Sequence, residues 1–252
     1  MERFRDPGLS AAAERAMRRW ELRRQFERQQ ADRSAGRETP ALCVTISREA
    51  GARGSTVARL VGQKLGWTVY DQELLEYIAH EMHLRAGVLE SLDEKAFRWA
   101  HDWLAALLED QWQDQDAYIV HLTKVVLAIG MHGEAIVVGR GAACILPRDR
   151  SLNVRVIAKD ADRIAFLSQT ERLTPQEAER YMRETDAQRK KFVRDYFHRD
   201  NEDLHEYDLI LDSSALGEEC CADLIVAAMR GKEAFAYNRQ TAKTRPSHVP
   251  VE

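Results

Sequence analysis

The stretch Leu42-Cys43-Val44-Thr45-Ile46, followed by Ser47-Arg48-Glu49-Ala50-Gly51-Ala52-Arg53-Gly54-Ser55-Thr56, decides how this chain is read. Its first five residues are a short apolar run of the kind that forms a buried strand. A helical pattern from Ser55 to Leu65 follows, so the polar segment between them carries the chain from a strand into a helix N-terminus. Such a turn points several backbone N–H groups, and the positive end of the helix dipole, at one spot suited to phosphate. The common phosphate loop, GxxxxGK[ST], places a lysine before its Ser/Thr. Here the residue before Ser55 is Gly54, and the first-glycine position is Glu49. A tight strand-to-helix turn with no ligand uses the same glycines, so the loop alone leaves both readings open.

Outward from the loop, four more apolar runs are short and rich in Val and Ile: Thr68 to Tyr70, Ala135 to Gly139, Leu152 to Ala158 and Asp208 to Leu211. Helical patterns separate them, and strands that alternate with helices predict an α/β fold with a parallel sheet. Thr174-Pro175-Gln176-Glu177 reads as a capping box with proline at the first helical position. Gln72 to Met131 is too long for a plain crossover and reads as a helical insertion. Asp162 to Arg199 is a second helical region, dense in Arg and Lys. Residues 1–39 are an Arg-rich arm with few apolar positions, ended by Thr39-Pro40. The organisation expected is therefore an arm (1–39), one α/β domain (40–231) and a flexible tail (232–252).

Composition bounds the partners. The chain has 252 residues, 44% apolar and 31% charged, with a mean hydropathy of -0.49, which describes a globular chain rather than a disordered one. A formal net charge of -4 gives no basic field for general nucleic-acid binding. The longest apolar runs fall far short of the ~20 residues a membrane span requires. With no apolar segment behind the Arg-rich start, and four cysteines in neither a CxxC pair nor a disulfide framework, a cytoplasmic protein is expected. His80 and His83 share a helix face without a third ligand at metal spacing. Trp99, Trp103 and Trp112 read as packing within the insertion.

Four blocks in order resemble the cytidylate kinase-like family, a divergent branch of the P-loop nucleoside monophosphate kinases. They are the Ser47 to Ser55 loop, Trp67-Thr68-Val69-Tyr70-Asp71 with Gln72-Glu73-Leu74-Leu75, Val137-Val138-Gly139-Arg140-Gly141-Ala142, and Asp186-Ala187-Gln188-Arg189 with Arg194-Asp195-Tyr196-Phe197. The resemblance covers about residues 42–230. It implies a P-loop three-layer fold with a five-stranded parallel sheet in the order 2-3-1-4-5. It also implies an acceptor-binding insertion at 72–131 and an Arg-rich lid at 162–200.

For the site, the resemblance implies that Gly51, Ala52, Arg53, Gly54, Ser55 and Thr56 cradle the phosphates of ATP. The Ser55 or Thr56 hydroxyl would serve Mg²⁺, and Arg48 or Arg53 would replace the missing lysine charge. Asp71 either orients Mg²⁺ or the acceptor phosphate, or simply caps the helix it opens. Arg140 would grip the acceptor phosphate. Gly141 stands where similar kinases carry an aspartate that helps read the base. Among the lid arginines Arg183, Arg189, Arg194 and Arg199, Arg189 and Arg194 match the family block and would meet the transferred phosphoryl group. The implied function is ATP- and Mg²⁺-dependent phosphoryl transfer to a nucleoside monophosphate, CMP-like first. Two alternatives stay open: a non-catalytic nucleotide-binding regulatory module, and a kinase of another small acceptor. A homodimer through the arm or the insertion is a further expectation.

Overall fold

The computed structural model describes residues 42–76, 78 and 117–243, with positions 11, 14, 15 and 18 as helix in the N-terminal segment. The rest of the arm, most of the insertion with His80, His83, Trp99, Trp103 and Trp112, and residues 244–252 lie outside the described residues.

Strand β1 (Cys43–Arg48) leads into α1 (Gly54–Leu65) and the short β2 (Thr68–Tyr70). After the insertion come α2 (Ala117–His132), β3 (Ala135–Val138), α3 (Ala142–Ile145) and β4 (Ser151–Ile157). Helices α4 (Asp160–Thr170) and α5 (Pro175–Phe197), in the region expected as a lid, follow, then β5 (Leu209–Asp212) and α6 (Ser213–Lys243). The five strands form one sheet in the order β2-β3-β1-β4-β5, and every pairing is parallel. This is the α/β three-layer fold expected from the sequence.

Both faces of the sheet are covered, so β3 reads as one continuous apolar run, whereas β4 alternates Leu152, Val154 and Val156 with the buried polar Ser151, Asn153 and Arg155. In β3, Ala135 and Val137 join the cluster built with Ile119, Leu122 and Val126 of α2, while Ile136 and Val138 join the opposite cluster with Val57 and Val61 of α1 and Ile225 and Met229 of α6. The period-2 geometry of a strand distributes one apolar run between two cores.

Three boundaries differ from the sequence reading. The apolar run of β1 ends at Ile46, yet the strand continues through Arg48, because the register with β4 pairs Ser47 with Arg155 and Arg48 with Val156. Pairing, not polarity, ends this strand. The region expected as a lid is two helices, and the Thr174–Glu177 capping box sits at the start of the second. Finally, α6, broken at Gly217 by a non-helical φ of 73°, runs to Lys243, so residues 232–243 are helix and not tail.

Candidate functional site

The loop between β1 and α1 is shaped by what its glycines leave out. Arg53 caps α1 in the left-handed conformation (φ 58°), and its carbonyl accepts from the Thr56 and Val57 N–H groups, each at 3.0 Å. No side chain caps this helix and its first turn carries no acid, so its leading N–H groups and dipole face outward without a built-in anion. A Cβ on Gly51 (φ 77°) would lie 2.7 Å from the Arg163 carbonyl oxygen. One on Gly54 would lie 2.5 Å from the Arg48 Cβ. A lysine therefore has no room at 54, and the obstacle is the Arg48 side chain.

Arg48 crosses Gly54 and lays its guanidinium on Gly139, where a Cβ would run into it. It thereby enters a cavity of about 530 Å³ at the carboxyl ends of β1 and β3, which is also lined by Arg140, Arg189, Gln72, Tyr181 and Phe192. Burial pulls the Arg48 pKa down to about 9; Arg189 and then Arg140 push the same way, and Asp71 opposes them. Burial likewise lowers Arg189, against the pull of Asp186 and Tyr181. Arg189 donates to the Arg48 carbonyl at 3.1 Å. Arg140 (φ 51°) pairs with Glu76 and lies over the Phe192 ring, 5.2 Å from its centroid. The Nε atoms of Arg48 and Arg140 are shielded from solvent without a hydrogen-bond partner. Desolvated, mutually repelling guanidiniums around one cavity are a site for an anion, whose charge offsets both costs.

Other expected site residues sort differently. Arg53 points away from this cavity, with Nη1 3.1 Å from Glu218 Oε1 and its guanidinium over the Phe166 ring. Asp71 accepts the Leu74 N–H at 3.0 Å, so it does cap the helical turn it opens, while its charge also acts on Arg48. Ser55 is exposed, and the Thr56 hydroxyl accepts from Arg59 at 3.3 Å. Gly141 (φ 70°) lines the cavity, and a Cβ there would fall 2.7 Å from Phe197 Cζ and nearer still to Cε2. An aspartate at 141 would need the Phe197 ring to move and would sit at a left-handed φ. Arg194 is exposed beside Asp195, and Arg183 and Arg199 pair with Glu179 and Glu206. These three do not line the cavity; Arg189 does.

The sequence reading missed three supports of the loop. Arg163, only 6% exposed, donates from Nε to the Ala50 carbonyl at 2.7 Å. Asp186 accepts the Ala50 N–H at 2.7 Å. Glu49, in the first-glycine position, accepts the Ala158 N–H at 3.2 Å and lies near Arg163 and Arg155. Glu49 and Asp186 lie in the family blocks, but nothing local marks these contacts, since more than a hundred residues separate the partners.

Sheet order, a glycine-bearing loop before an uncapped helix, and an arginine-bearing cavity at the strands' carboxyl ends together define a P-loop kinase-like α/β protein. The chain belongs to the cytidylate kinase-like family, whose sequence profile matches residues 43–215. No curated protein matches it in sequence. Among solved structures, it is similar to an uncharacterized protein from Eubacterium ventriosum, at 21% identity and a TM-score of 0.59, covering 75% of this chain and 98% of that one. A shikimate kinase from Acinetobacter baumannii in complex with shikimate aligns at 13% identity and a TM-score of 0.41, covering 76% and 94%. A shikimate kinase from Bacteroides thetaiotaomicron aligns at 11% and 0.43, covering 75% and 98%. Among the described residues, no helix is long and apolar enough to cross a membrane, and no cluster of three His, Cys, Asp or Glu stands at metal-binding distance.

Proposed function

We propose that the protein transfers the γ-phosphoryl group of ATP to a small phosphate-bearing acceptor, with a CMP-like nucleoside monophosphate the first candidate. The observation that carries this reading is the convergence of Arg48, Arg140 and Arg189 on one cavity beside the uncapped start of α1. The loop fits a nucleotide's phosphates, because Gly51 and Gly54 leave the backbone bare and the first turn holds no competing carboxylate. Mg²⁺, when bound with ATP, would neutralise phosphate charge, with the exposed Ser55 hydroxyl and the Thr56 hydroxyl as its nearest protein ligands on this reading.

Each arginine then has a task. Arg48 supplies the cation that a lysine gives elsewhere, reaching the transferred group from the strand side because Gly54 and Gly139 make way for it. Arg140, just after the neighbouring strand β3, holds the acceptor's phosphate. Arg189, on the lid, faces both. The acceptor oxygen attacks in line, and no side-chain nucleophile is required. With Phe197 filling the space beside Gly141, selectivity cannot use a carboxylate at that position, which favours testing acceptors beyond CMP.

The deciding experiment measures ATP turnover with Mg²⁺ against a panel of monophosphates (CMP, UMP, AMP, GMP) and non-nucleotide sugar phosphates. Turnover of one monophosphate well above the rest supports the reading, and preference for a sugar phosphate moves it to another small acceptor. If ATP binds in calorimetry but no acceptor is phosphorylated, the protein is a nucleotide-binding module and not a kinase.

A further inference from the structure

The lid helix does not rest on the phosphate loop through surface charges. It grips the loop's backbone. Asp186 of α5 accepts the Ala50 N–H through Oδ1 at 2.7 Å, and its Oδ2 meets the Arg163 guanidinium. Arg163 of α4 closes the ring by donating from Nε to the Ala50 carbonyl at 2.7 Å. Both polar groups of one loop peptide unit's residue are thus taken by the two lid helices. The apolar side agrees, because the Ala50 side chain is 3% exposed and belongs to the lid's own small core with Leu167, Ala178 and Met182. The backbone of Arg163 comes so close to Gly51 that a Cβ there would not fit.

One helical turn beyond Asp186, Arg189 donates to the Arg48 carbonyl at 3.1 Å. Spacing i, i+3 on α5 places both contacts on one helix face, so seating Asp186 on Ala50 also fixes where the Arg189 guanidinium enters the cavity. Asp186 itself does not line that cavity. The exposed pairs farther up the helix, Arg183 with Glu179 and Arg180 with Glu184, are of the kind that adds little to stability and fixes no angle.

We propose that Asp186 and Arg163 are positioning residues: with Ala50 they form a latch that couples the lid to the phosphate loop and sets Arg189 over the transferred group. This rests on the kinase reading above for its catalytic consequence, but the latch is a property of the protein alone. Its charge arrangement is mutual, since Arg163, buried and also 3.5 Å from Glu49, requires a carboxylate close by, and Asp186 requires the Ala50 N–H to hold its second oxygen. An ordinary structural salt bridge needs neither backbone contact.

Two measurements on the full chain test it. The first is hydrogen exchange at the Ala50 amide in wild type, Asp186→Asn and Asp186→Ala, where losing one hydrogen bond of typical strength speeds exchange roughly tenfold. Asp186→Ala should exchange faster, and Asp186→Asn, which keeps an acceptor of the same size, should lie between. The second is a double-mutant cycle of Asp186→Ala with Arg189→Ala on kcat and KM. Asp186→Ala should lower kcat by about 10- to 100-fold, as misplacement of a catalytic group does, and change KM for ATP less than about threefold. In the Arg189→Ala background the same change should have little further effect. Additive losses, or exchange at Ala50 that ignores Asp186, overturn the proposal. If Asp186→Ala fails to fold, Asp186→Asn and Arg163→Lys take its place in both arms, Arg163→Lys keeping the charge and losing the Nε donor. If wild type phosphorylates no acceptor, the kinase reading is what fails, and the latch is judged by exchange at the Ala50 amide alone.

Discussion

Arg48 and Arg53 stand five residues apart on one turn, and the molecule treats its two faces in opposite ways. On the inner face, Arg48 lies in a desolvated space cleared by Gly54 and Gly139, beside two other arginines and with its Nε unpartnered. On the outer face, Arg53 is paired with Glu218 and laid over Phe166. The outer charge is already neutralised. Among the described residues the inner charge has no ion-paired carboxylate, only the more distant charge of Asp71, and the proposed anion site rests on that asymmetry more than on the loop pattern.

The largest expected effect breaks the comparison at its inner end. Arg48→Met keeps much of the side chain's length and removes its charge. If Arg48 stabilises the transferring phosphoryl group, kcat/KM should fall by about 10²- to 10³-fold, the usual cost of removing a preorganised charge stabiliser. The fold should not suffer, because an apolar replacement for a buried, poorly paired charge is commonly neutral or stabilising. A melting temperature equal to or above wild type, together with collapsed activity, is the expected result. A loss of stability in step with activity would show that Arg48 is a structural residue.

A smaller effect sharpens the inner face itself. Arg48 ends β1, whereas Arg140 follows β3, so the two should serve different ligands. Arg140→Ala removes one charge-assisted contact, on the order of 1.5–3 kcal/mol, and should weaken acceptor binding by roughly 10- to 150-fold with ATP affinity nearly unchanged. Calorimetric titration of each ligand separately checks it. Equal weakening of both would merge the two halves into one undivided anion pocket.

The strands, their alternation with helices and the loop's place between β1 and α1 were legible because each rests on local chemistry: Val- and Ile-rich runs, a capping box, glycines before a helix. Sheet order came from the family resemblance, and the observed pairing matches it. What could not be read was direction. The sequence offers Arg48 and Arg53 as equal substitutes for the lysine, and only the absence of side chains at Gly54 and Gly139, the latter some ninety residues on, separates them. Arg189 and Arg194 likewise share a family block. A turn and a half of helix apart, they part company because Arg189 meets the Arg48 carbonyl while Arg194 faces solvent. Gly141 could be seen as a departure from the family pattern, but the Phe197 ring that lies where its side chain would be is a tertiary contact.

The smallest effect tests the outer face. Arg53→Ala removes a partly exposed ion pair, worth about 0–1 kcal/mol, and a cation–π contact of similar size, about 0.5–1 kcal/mol. It leaves a non-glycine residue in the left-handed cap, which costs roughly 1–2 kcal/mol. Arg53→Gly loses the same two contacts but relieves that backbone cost, so the terms nearly cancel and its melting temperature should stay close to wild type, with Arg53→Ala modestly lower. Both variants keep the Arg53 carbonyl that closes the first turn of α1. On the inner-face assignment both should retain kcat within about threefold, since neither removes a group made to interact in the transition state. Should Arg53→Gly instead fall as far as Arg48→Met while melting normally, the replacement for the lysine would be the outer arginine, reaching the phosphates by abandoning Glu218, and the division between the two faces of the loop would be wrong.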